Sequence, residues 1–554
     1  MLTRSIRPVL IAAVIAAGAN ADVRVRHMFS TGPAPGLTEG VTIDQAMPPS
    51  FPVIADSRGR ALAIGHLAGT DVTAANDTAM WLVGPGQAEL LVRDGDALIG
   101  FSGGTIAFFY PLGIASDDTV FLRVQMAGMA ATSDTAIAYV RPGEAPVSLL
   151  REGDPIPGRP GQAWPDLLLA RGGVSRAGDL VFLTQPTNGM LVAATTDSVD
   201  IVFATGDPVP DFEDTIGVVD GLFAVADGPI VHFSMRLSGP ELTTANDNAI
   251  YDYRDGVLRL LAREGDPAPG LPDYAYRRFQ SVGLADTLGV GGFSFSADLG
   301  GPGGTAIGLF RADEAGVAPL GSTVEPIPGL DPTATFADVF WEQQHPAGLA
   351  FIARDNDGGD HDGVWLATDT GLANIVRQGD TPPGSSAPFT YGSFRSFGNY
   401  GAVRCSSSGR IAFLTAITDP ADDGPTVYGT DPLGNLRRGM AAGDLIDTPT
   451  GPRTLGIATG AAYADDGGII IATQMFGPAV STGLVRLDIG CPGSGCDDLD
   501  IANSDCRVDL ADLALLISEF GLNGRDLVSD IDRNGAVDLS DLASLIAGYG
   551  SDCD

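Results

Sequence analysis

A loop near the end of the chain carries oxygen-bearing side chains at regular intervals. Numbered as a twelve-residue loop, its positions one, three, five, nine and twelve are Asp530, Asp532, Asn534, Asp538 and Asp541. Gly535 stands at position six, and Ala536 can add a backbone carbonyl at position seven. A hard cation such as Ca²⁺ needs about six to eight oxygen ligands, which a tight loop supplies when alternate residues point inward. The spacing predicts a calcium site, with a solvated acidic loop as the alternative.

An earlier copy of the same loop is less complete. Its candidate ligands in register are Asn503, Asp505, Asp509 and Asp512. Ile501 occupies position one, and Cys506 stands at the position where a turn with positive φ favours Gly. We therefore expect weaker calcium binding at this first loop.

Each loop leads into a segment whose apolar residues are three and four positions apart, a spacing that predicts a helix. These residues are Leu510, Leu513, Leu516, Ile517 and Phe520 in the first segment, and Leu539, Leu542, Leu545, Ile546 and Tyr549 in the second. Gly521 and Gly550 are predicted to end the two helices. We expect the two apolar faces to pack against each other.

Paired loop and helix units with Asp at position twelve and no long entering helix resemble the type I dockerin module. The resemblance covers about residues 497–550, and we assign residues 497–554 to the module. It implies calcium-dependent docking to a cohesin partner through loop positions ten and eleven, which are often Ser or Thr in that family. Here these positions hold Leu510 and Ala511, then Leu539 and Ser540. The expected partner is therefore a cohesin-like protein or another cell-surface component.

Four of the five Cys residues lie in or near this module. They are Cys491, Cys496, Cys506 and Cys553. Disulfides often stabilise small exported modules, and four Cys allow three pairings. We favour Cys491 with Cys496 and Cys506 with Cys553, because antiparallel packing would bring the chain end near the first loop. Cys405 would remain unpaired.

The rest of the chain contains a recurring phrase in which Gly-Asp follows a strand-like stretch and Pro often comes next. Its copies begin at Arg93, Arg151, Thr205, Arg263, Gln378 and Gly443, and related segments without Gly-Asp begin at Thr31 and Val324. The spacing of roughly 53 to 64 residues is typical of an array or a propeller. Gly-Asp is predicted to form a turn at a strand exit, and about four strands fit within each unit. We predict an all-β fold, a β-propeller of about eight four-stranded blades over residues 22–488, followed by a linker at 489–496.

The two ends of this repeat region complement each other. The strand-like stretch from Val23 to Phe29 has no unit before it, whereas the last unit lacks its closing strand. The N-terminal strand is therefore predicted to complete the last blade, because closure removes the uncovered ends of an open array. The repeats resemble those of secreted bacterial proteins with a strand, Gly-Asp-Pro-x-Pro-Gly and Gly-x-x-x-Phe pattern. That resemblance implies a propeller-like fold and no defined activity.

Acidic residues also recur at one place within several units. They are Asp77, Asp134, Asp247 and Asp362, each just before a strand. Because the same feature recurs, a hairpin turn is favoured over a metal ligand. The loop from Asp355 to Asp362 is unusually rich in Asp, and a solvated hairpin is favoured there over a second calcium site.

Residues 1–21 have the features of a signal peptide. Arg4 and Arg7 precede the apolar stretch from Val9 to Ala19, which is too short to span a bilayer. Ala21 ends a small-x-small cleavage motif, so that the mature chain would begin at Asp22. We expect an exported protein with no transmembrane span, located outside the cell or at its surface.

Composition narrows the classes of function. The net charge of −37 argues against nucleic acid and anionic membranes as partners. The chain contains no Lys, which excludes a P-loop or Schiff-base lysine, and its five His residues show no metal-ligand spacing. We see no catalytic constellation and expect a secreted, non-catalytic binding or scaffolding protein, with a glycan as a candidate ligand. The alternative is a polysaccharide-active enzyme, a glycoside hydrolase or lyase, that carries the same module.

Overall fold

The structure, a computed structural model, covers the chain with gaps. It describes residues 23–46, 53–56, 58–84, 87–175, 177–184, 189–209, 215–226, 230–254, 256–279, 293–313, 315–357, 361–382, 390–392, 394, 403–406, 408–416, 425–431, 434–448, 451–463, 467–476, 481–489, 499, 507–522, 529, 531 and 536–550.

Strands in the described part of the chain form eight antiparallel sheets that follow one another in chain order. Five sheets have four strands and three have five. Each sheet is one blade of an eight-bladed β-propeller, as the spacing of the repeats predicts.

The first four blades are built as follows. Blade 1 contains β2 (Gly32–Pro33), β3 (Val41–Ala46), β4 (Ala61–Gly69), β5 (Thr78–Gly84) and β6 (Gln87–Arg93). Blade 2 contains β7 (Thr105–Ile114), β8 (Val120–Ala127), β9 (Thr135–Val140) and β10 (Val147–Arg151). Blade 3 contains β11 (Arg171–Val174), β12 (Leu180–Leu183), β13 (Met190–Ala194) and β14 (Val199–Ala204). Blade 4 contains β15 (Thr215–Ala226), β16 (Ile230–Ser238), β17 (Asn248–Arg254) and β18 (Val257–Arg263).

The other four blades complete the ring. Blade 5 contains β19 (Pro267–Ala268), β20 (Leu271–Phe279), β21 (Phe293–Gly301), β22 (Gly304–Asp313) and β23 (Gly316–Ser322). Blade 6 contains β24 (Phe336–His345), β25 (Gly348–Asp355), β26 (His361–Thr368) and β27 (Gly371–Arg377). Blade 7 contains β28 (Val403–Cys405), β29 (Ile411–Ala416), β30 (Pro425–Thr430) and β31 (Leu436–Ala441). Blade 8 contains β32 (Leu445–Thr448), β33 (Gly451–Tyr463), β34 (Ile469–Phe476), β35 (Ser481–Ile489) and the N-terminal β1 (Val23–Phe29).

The N-terminal strand closes the ring. It runs antiparallel to β35, with Val23 opposite Ile489 and Val25 opposite Leu487. This pairing confirms the prediction that the two ends of the repeat region share one blade.

The apolar core lies largely between neighbouring blades. In five blades the last strand but one buries a large aromatic residue: Trp81, Tyr251, Phe310, Trp365 and Tyr428. At the junction of blades 8 and 1, Met28 and Ile470 belong to the same buried cluster as Trp81. Alternate side chains along a strand therefore pack into two different interfaces, because each face of a blade contacts a neighbouring blade.

The recurring Gly-Asp phrase joins successive blades. After β10, the amide of Gly153 donates to the carbonyl of Trp164, and the amide of Trp164 donates to the carbonyl of Asp154, both at 2.9 Å. The same two bonds link Gly95 and Asp96 to Ile106, Gly206 and Asp207 to Ile216, Gly265 and Asp266 to Tyr276, Gly379 and Asp380 to Tyr391, and Gly443 and Asp444 to Leu455. The predicted turn is confirmed, and the structure adds that the turn pairs with the chain that begins the next blade.

Two helices follow the propeller, α1 (Leu510–Glu519) and α2 (Leu539–Gly548). Gly521 and Gly550, with φ of +85° and +80°, come just after their C-caps, as predicted. Each helix has ten residues, and within the described residues no helix is long and apolar enough to cross a membrane.

The two helices share a small core, and hydrogen bonds cross between them in a symmetric manner. The amide of Gly550 donates to the carbonyl of Val508 at 2.7 Å, and the amide of Gly521 donates to the carbonyl of Val537 at 2.8 Å. The fully buried side chains of this core are Val508, Leu516, Val537 and Leu545. Each helix is thus tied to the residues that precede the other helix.

The predicted packing of the apolar helix faces is only partly correct. Ile517 and Ile546 are 61% and 57% exposed, although both were expected to face the partner helix. Phe520 and Tyr549 are exposed as well. The reason is geometric, since only one apolar side chain of each helix, Leu516 and Leu545, is fully buried in the shared core.

Candidate functional site

The start of α1 is fixed by two of the predicted calcium ligands. Asp509 is its N-cap and accepts a hydrogen bond from the amide of Ala511 at 2.7 Å. Asp512 accepts one from the amide of Asp509 at 2.8 Å, which completes a capping box. The two carboxylates are therefore held in fixed orientations at the helix N-terminus.

The start of α2 repeats this arrangement. Asp538 is the N-cap and accepts from the amide of Ser540 at 2.7 Å, and Asp541 accepts from the amide of Asp538 at 2.8 Å. The two sequence copies are thus also copies in local structure.

Burial distinguishes the carboxylates at loop position twelve. Asp512 and Asp541 are both 0% exposed. Arg507, the one basic residue in the described part of 499–550, is exposed. Carboxylate oxygens are the donors that a hard cation such as calcium prefers.

Among the remaining predicted calcium ligands, only Ala536 lies within the described residues. Ala536 is half-buried beside Val537. The predicted ligands Asn503, Asp505, Asp530, Asp532 and Asn534 lie outside the described residues. Within the described residues, no group of three or more His, Cys, Asp or Glu side chains is placed to hold a metal ion. The structure brings the described ligands together as two pairs, and the complete loops remain a prediction.

Each helix of the module exposes a matching apolar stripe. In α1 the stripe consists of Leu510 and Ile517, and Phe520 follows; they are 68%, 61% and 45% exposed. In α2 it consists of Leu539 and Ile546, and Tyr549 follows; they are 72%, 57% and 48% exposed. We call these six residues the paired stripes. Large exposed apolar side chains grouped on one small module are typical of a contact surface.

Three of the four recurring Asp residues of the propeller lie in hairpin turns, as the sequence favoured. The carbonyls of Asp77, Asp134 and Asp247 accept hydrogen bonds from amides of the preceding strand, those of Leu67, Met126 and Leu237, at 2.6, 2.7 and 2.6 Å. Asp362 differs, because it lies within β26 opposite Arg354.

The Asp-rich loop of blade 6 begins with an ion pair. Arg377 Nε donates to Asp355 Oδ2 at 2.7 Å and Arg377 Nη2 donates to Asp355 Oδ1 at 2.6 Å. These bonds raise the pKa of the Arg377 guanidinium. Asp355 is fully buried, so the expectation of a solvated loop fails for this residue, and residues 358–360 lie outside the described part.

One carboxyl in the strand exit of blade 1 is strongly perturbed. Burial raises the pKa of Asp94 to about 7; the Thr78 hydroxyl opposes the rise, and the carboxylates of Asp77 and Asp96 add to it. Asp94 Oδ1 is buried and has no hydrogen-bond partner among the described atoms. No sequence pattern predicts this shift in the pKa, because Asp94 occupies an ordinary turn position.

A second perturbed carboxyl lies between blades 5 and 6. Burial raises the pKa of Glu342 to about 7; the Ser296 hydroxyl beside it opposes the rise, and Asp298 adds to it. Gln344 anchors the same strand, since its Oε1 accepts from the amide of Ser294 at 2.6 Å. We call Ser294, Ser296, Asp298, Glu342 and Gln344 the junction cluster. Alternation of Ser with Phe along β21 looks like an ordinary half-exposed strand, which is why the sequence did not reveal it.

Only one of the five Cys residues lies within the described part of the chain. Cys491, Cys496, Cys506 and Cys553 lie outside the described residues, so the favoured pairing stays a prediction. Cys405 is a buried free thiol in β28, and burial raises its pKa.

The chain is thus an eight-bladed β-propeller protein with two short helices behind the propeller. It belongs to a family of unknown function, DUF7453, whose model matches residues 33–320 and 289–469. The matched region covers most of the propeller and ends before the helices. No curated protein matches the chain.

Several solved structures are similar to this chain at low sequence identity. The C-terminal WD40 domain of Sif2 is 9% identical, with a TM-score of 0.35, and the match covers 81% of this chain and 99% of that one. A polysaccharide lyase, the PL25 ulvan lyase, is 11% identical, with a TM-score of 0.28 and coverage of 70% and 93%. A protein from Lactobacillus plantarum is 12% identical, with a TM-score of 0.28 and coverage of 69% and 96%. Scores this low carry no information about function.

Proposed function

We propose that this is a secreted or surface-displayed, non-catalytic binding or scaffolding protein whose C-terminal module folds around calcium and docks onto a partner protein. The observation that carries the proposal is the duplicated pair of buried carboxylates, Asp512 and Asp541, at the starts of two matching helices.

The donor chemistry of the module supports calcium. Asp538 and Asp541 would hold the ion in the second loop together with Asp530, Asp532, Asn534 and the carbonyl of Ala536. In the first loop, Asp509 and Asp512 would act with Asn503 and Asp505. Bound calcium supplies the positive charge that oxygen-only donors require. Each described carboxylate already orients a helix start, so calcium binding and helix formation would be coupled.

Exposed apolar surface supports docking. The positions that resemble the contact positions of a type I dockerin hold Leu510 and Leu539, which are 68% and 72% exposed. Together with the rest of the paired stripes they offer an apolar contact surface on each helix. Burial of one such side chain in an interface contributes about 1.5–3 kcal/mol.

Export is the remaining part of the proposal. The candidate cleavage site after Ala21 lies one residue before β1, which begins at Val23. Removal of residues 1–21 would leave the closing strand at the very start of the mature chain. Sequencing of the N-terminus of the secreted protein should yield Asp22 as the first residue.

Capture of a partner tests the docking function. The mature full-length protein is immobilised and exposed to solubilised cell-surface proteins, once with calcium and once with EGTA. The proposal predicts a partner that is retained in calcium, released by EGTA and not retained by an Ile517→Gln and Ile546→Gln double variant. A Ser518→Ala and Ser544→Ala variant is the matched control. Steady release of reducing sugar from polysaccharides would instead favour the enzyme alternative.

A further inference from the structure

We propose that His345 makes the junction between blades 6 and 7 sensitive to acid: its neutral ring holds two hairpin tips together, and uptake of a proton releases them. His345 ends β24, at the tip of the hairpin that joins β24 to β25. Its ring reaches Gly409, at the corresponding tip between β28 and β29 of blade 7. We call the hydrogen bond from His345 to Gly409 the tip contact. It lies in the propeller and does not depend on the C-terminal module or on its proposed function.

The hydrogen bonds of His345 fix its protonation state. The amide of Ala347 donates to Nδ1 at 3.1 Å, so Nδ1 is an acceptor and carries no proton. The proton of the neutral ring is therefore on Nε2, which donates to the carbonyl of Gly409 at 3.0 Å. A second proton would make Nδ1 a donor that faces the donor amide of Ala347. The ring would then have to turn away, and the tip contact would be lost.

At four other junctions, the side chains that join neighbouring hairpin tips do not change charge near neutral pH. These side chains are Arg58, which donates to the carbonyl of Ser116, Arg410, which lies against Gly467, Arg486, which donates to the carbonyl of Gly59, and Ser294, which donates to the carbonyl of Gly348. Arg stays charged and Ser stays neutral over the range in which His changes its charge. The junction between blades 6 and 7 differs from these four because its contact depends on a titratable ring.

The charge of His345 is governed by burial. Burial lowers its pKa from the ordinary value of 6.5, and the tip contact opposes this change. Charged side chains on the elements around it are Asp298 in β21, Asp338 and Glu342 in β24, Arg354 and Asp355 in β25, Arg404 in β28 and Arg410 at the blade 7 tip. None of these groups shifts the pKa of His345. Between the lowered and the ordinary pKa the unfolded chain binds more protons than the folded protein, so stability falls as the pH falls below 6.5.

Cys405 can report on this junction. It is a buried free thiol that ends β28 and pairs with Ile411, so these two residues flank the tip that contains Gly409. Its side chain belongs to the same buried cluster as Ile352 of blade 6 and Phe413 of blade 7. Separation of the two blades would therefore expose the thiol to a small reagent.

Labelling of Cys405 by dithiodipyridine tests the proposal in the mature full-length protein, with the labelled residue located by peptide mass spectrometry. The ratio of the labelling rate at pH 5 to that at pH 7.5 should be about 3- to 10-fold larger in the unmodified protein than in His345→Gln. Gln can accept from the amide of Ala347 and donate to the carbonyl of Gly409, and it stays neutral at both pH values. His361→Gln, in the same blade, is the matched control and should keep the response to acid.

A second variant, His345→Ala, removes both hydrogen bonds and should be labelled rapidly at both pH values. Near-ultraviolet circular dichroism at pH 7.5 shows that each variant is folded. Equal acceleration by acid in the unmodified protein and in His345→Gln would overturn the proposal. That result would assign the acid response to other buried groups, such as His27 and His232, whose pKa values burial lowers to about 4. Slow labelling of a folded His345→Ala variant would overturn it as well, since the blades would then stay together without the tip contact.

Discussion

Phe29 of the closing strand packs against Trp81 of blade 1, with the ring centroids 5.2 Å apart. The contact joins the N-terminal strand, which completes blade 8, to β5 of blade 1. Closure of the ring therefore depends on aromatic packing as well as on the hydrogen bonds between β1 and β35.

Phe29→Ala should destabilise the propeller by about 3–5 kcal/mol, because a side chain that is 3% exposed leaves a cavity at the closure. Denaturant unfolding measures the change. Phe476→Ala in the same blade is the control, since Phe476 is 41% exposed and should cost about 1 kcal/mol or less. Equal losses for the two variants would argue against a closure that depends on Phe29.

Asp94 should make the propeller less stable as the pH rises. Its pKa is about 7 in the fold, against an ordinary value of 3.8, so between these values the folded state binds more protons than the unfolded state. Stability from this group is present at acidic pH and is lost as the pH approaches 7. Asp94→Asn should therefore stabilise the protein at pH 8, on the order of 2–4 kcal/mol, and have little effect at pH 4.

Thermal unfolding from pH 4 to pH 8 tests this expectation for Asp94. The exposed Asp197→Asn variant controls for the loss of one negative charge from a chain of net charge −37. Identical pH profiles for Asp94→Asn and the unmodified protein would show that Asp94 does not hold a proton in the fold.

Gly153 should be the more sensitive of two glycines in the strand exit of blade 2. Both Gly153 and Gly158 have positive φ, +83° and +72°, so Ala at either position costs about 1–2 kcal/mol. A Cβ on Gly153 would also lie 3.0 Å from the carbonyl oxygen of Thr132, whereas one on Gly158 would meet nothing within 4 Å. Gly153→Ala should therefore lower the unfolding free energy by about 1 kcal/mol more than Gly158→Ala. A larger loss for Gly158→Ala would contradict the role of the Gly-Asp turn in joining blades.

The sequence predicts the ring of blades well, because a recurring phrase marks the successive repeat units along the chain. Gly153 and Asp154 illustrate the limit: their types indicate a turn, but their pairing with Trp164, in the segment that leads to blade 3, depends on how the blades are arranged. Spacing in one chain says nothing about such contacts between units.

The candidate sites were predictable to different degrees. Asp538 and Asp541 follow a ligand spacing that is local in the chain, so their shared place at one helix start could be foreseen. Glu342 and Ser296 are 46 residues apart in the sequence and come together only because β24 packs on β21. No local sequence pattern predicts that they are neighbours. Exposure of Ile517 and Ile546 was also missed, since helical periodicity does not state how wide the contact between two short helices will be.

Hydrogen–deuterium exchange of the mature full-length protein tests most directly whether the module folds around calcium. Peptides that cover residues 507–522 and 536–550 should be protected in calcium and exchange rapidly in EGTA, and Asp541→Asn should lose the protection of 536–550 in calcium. Asn keeps an oxygen that can accept the hydrogen bond from Asp538 and removes only the charge, so the variant separates calcium binding from helix capping. Equal protection of both peptides with calcium and with EGTA would contradict the account.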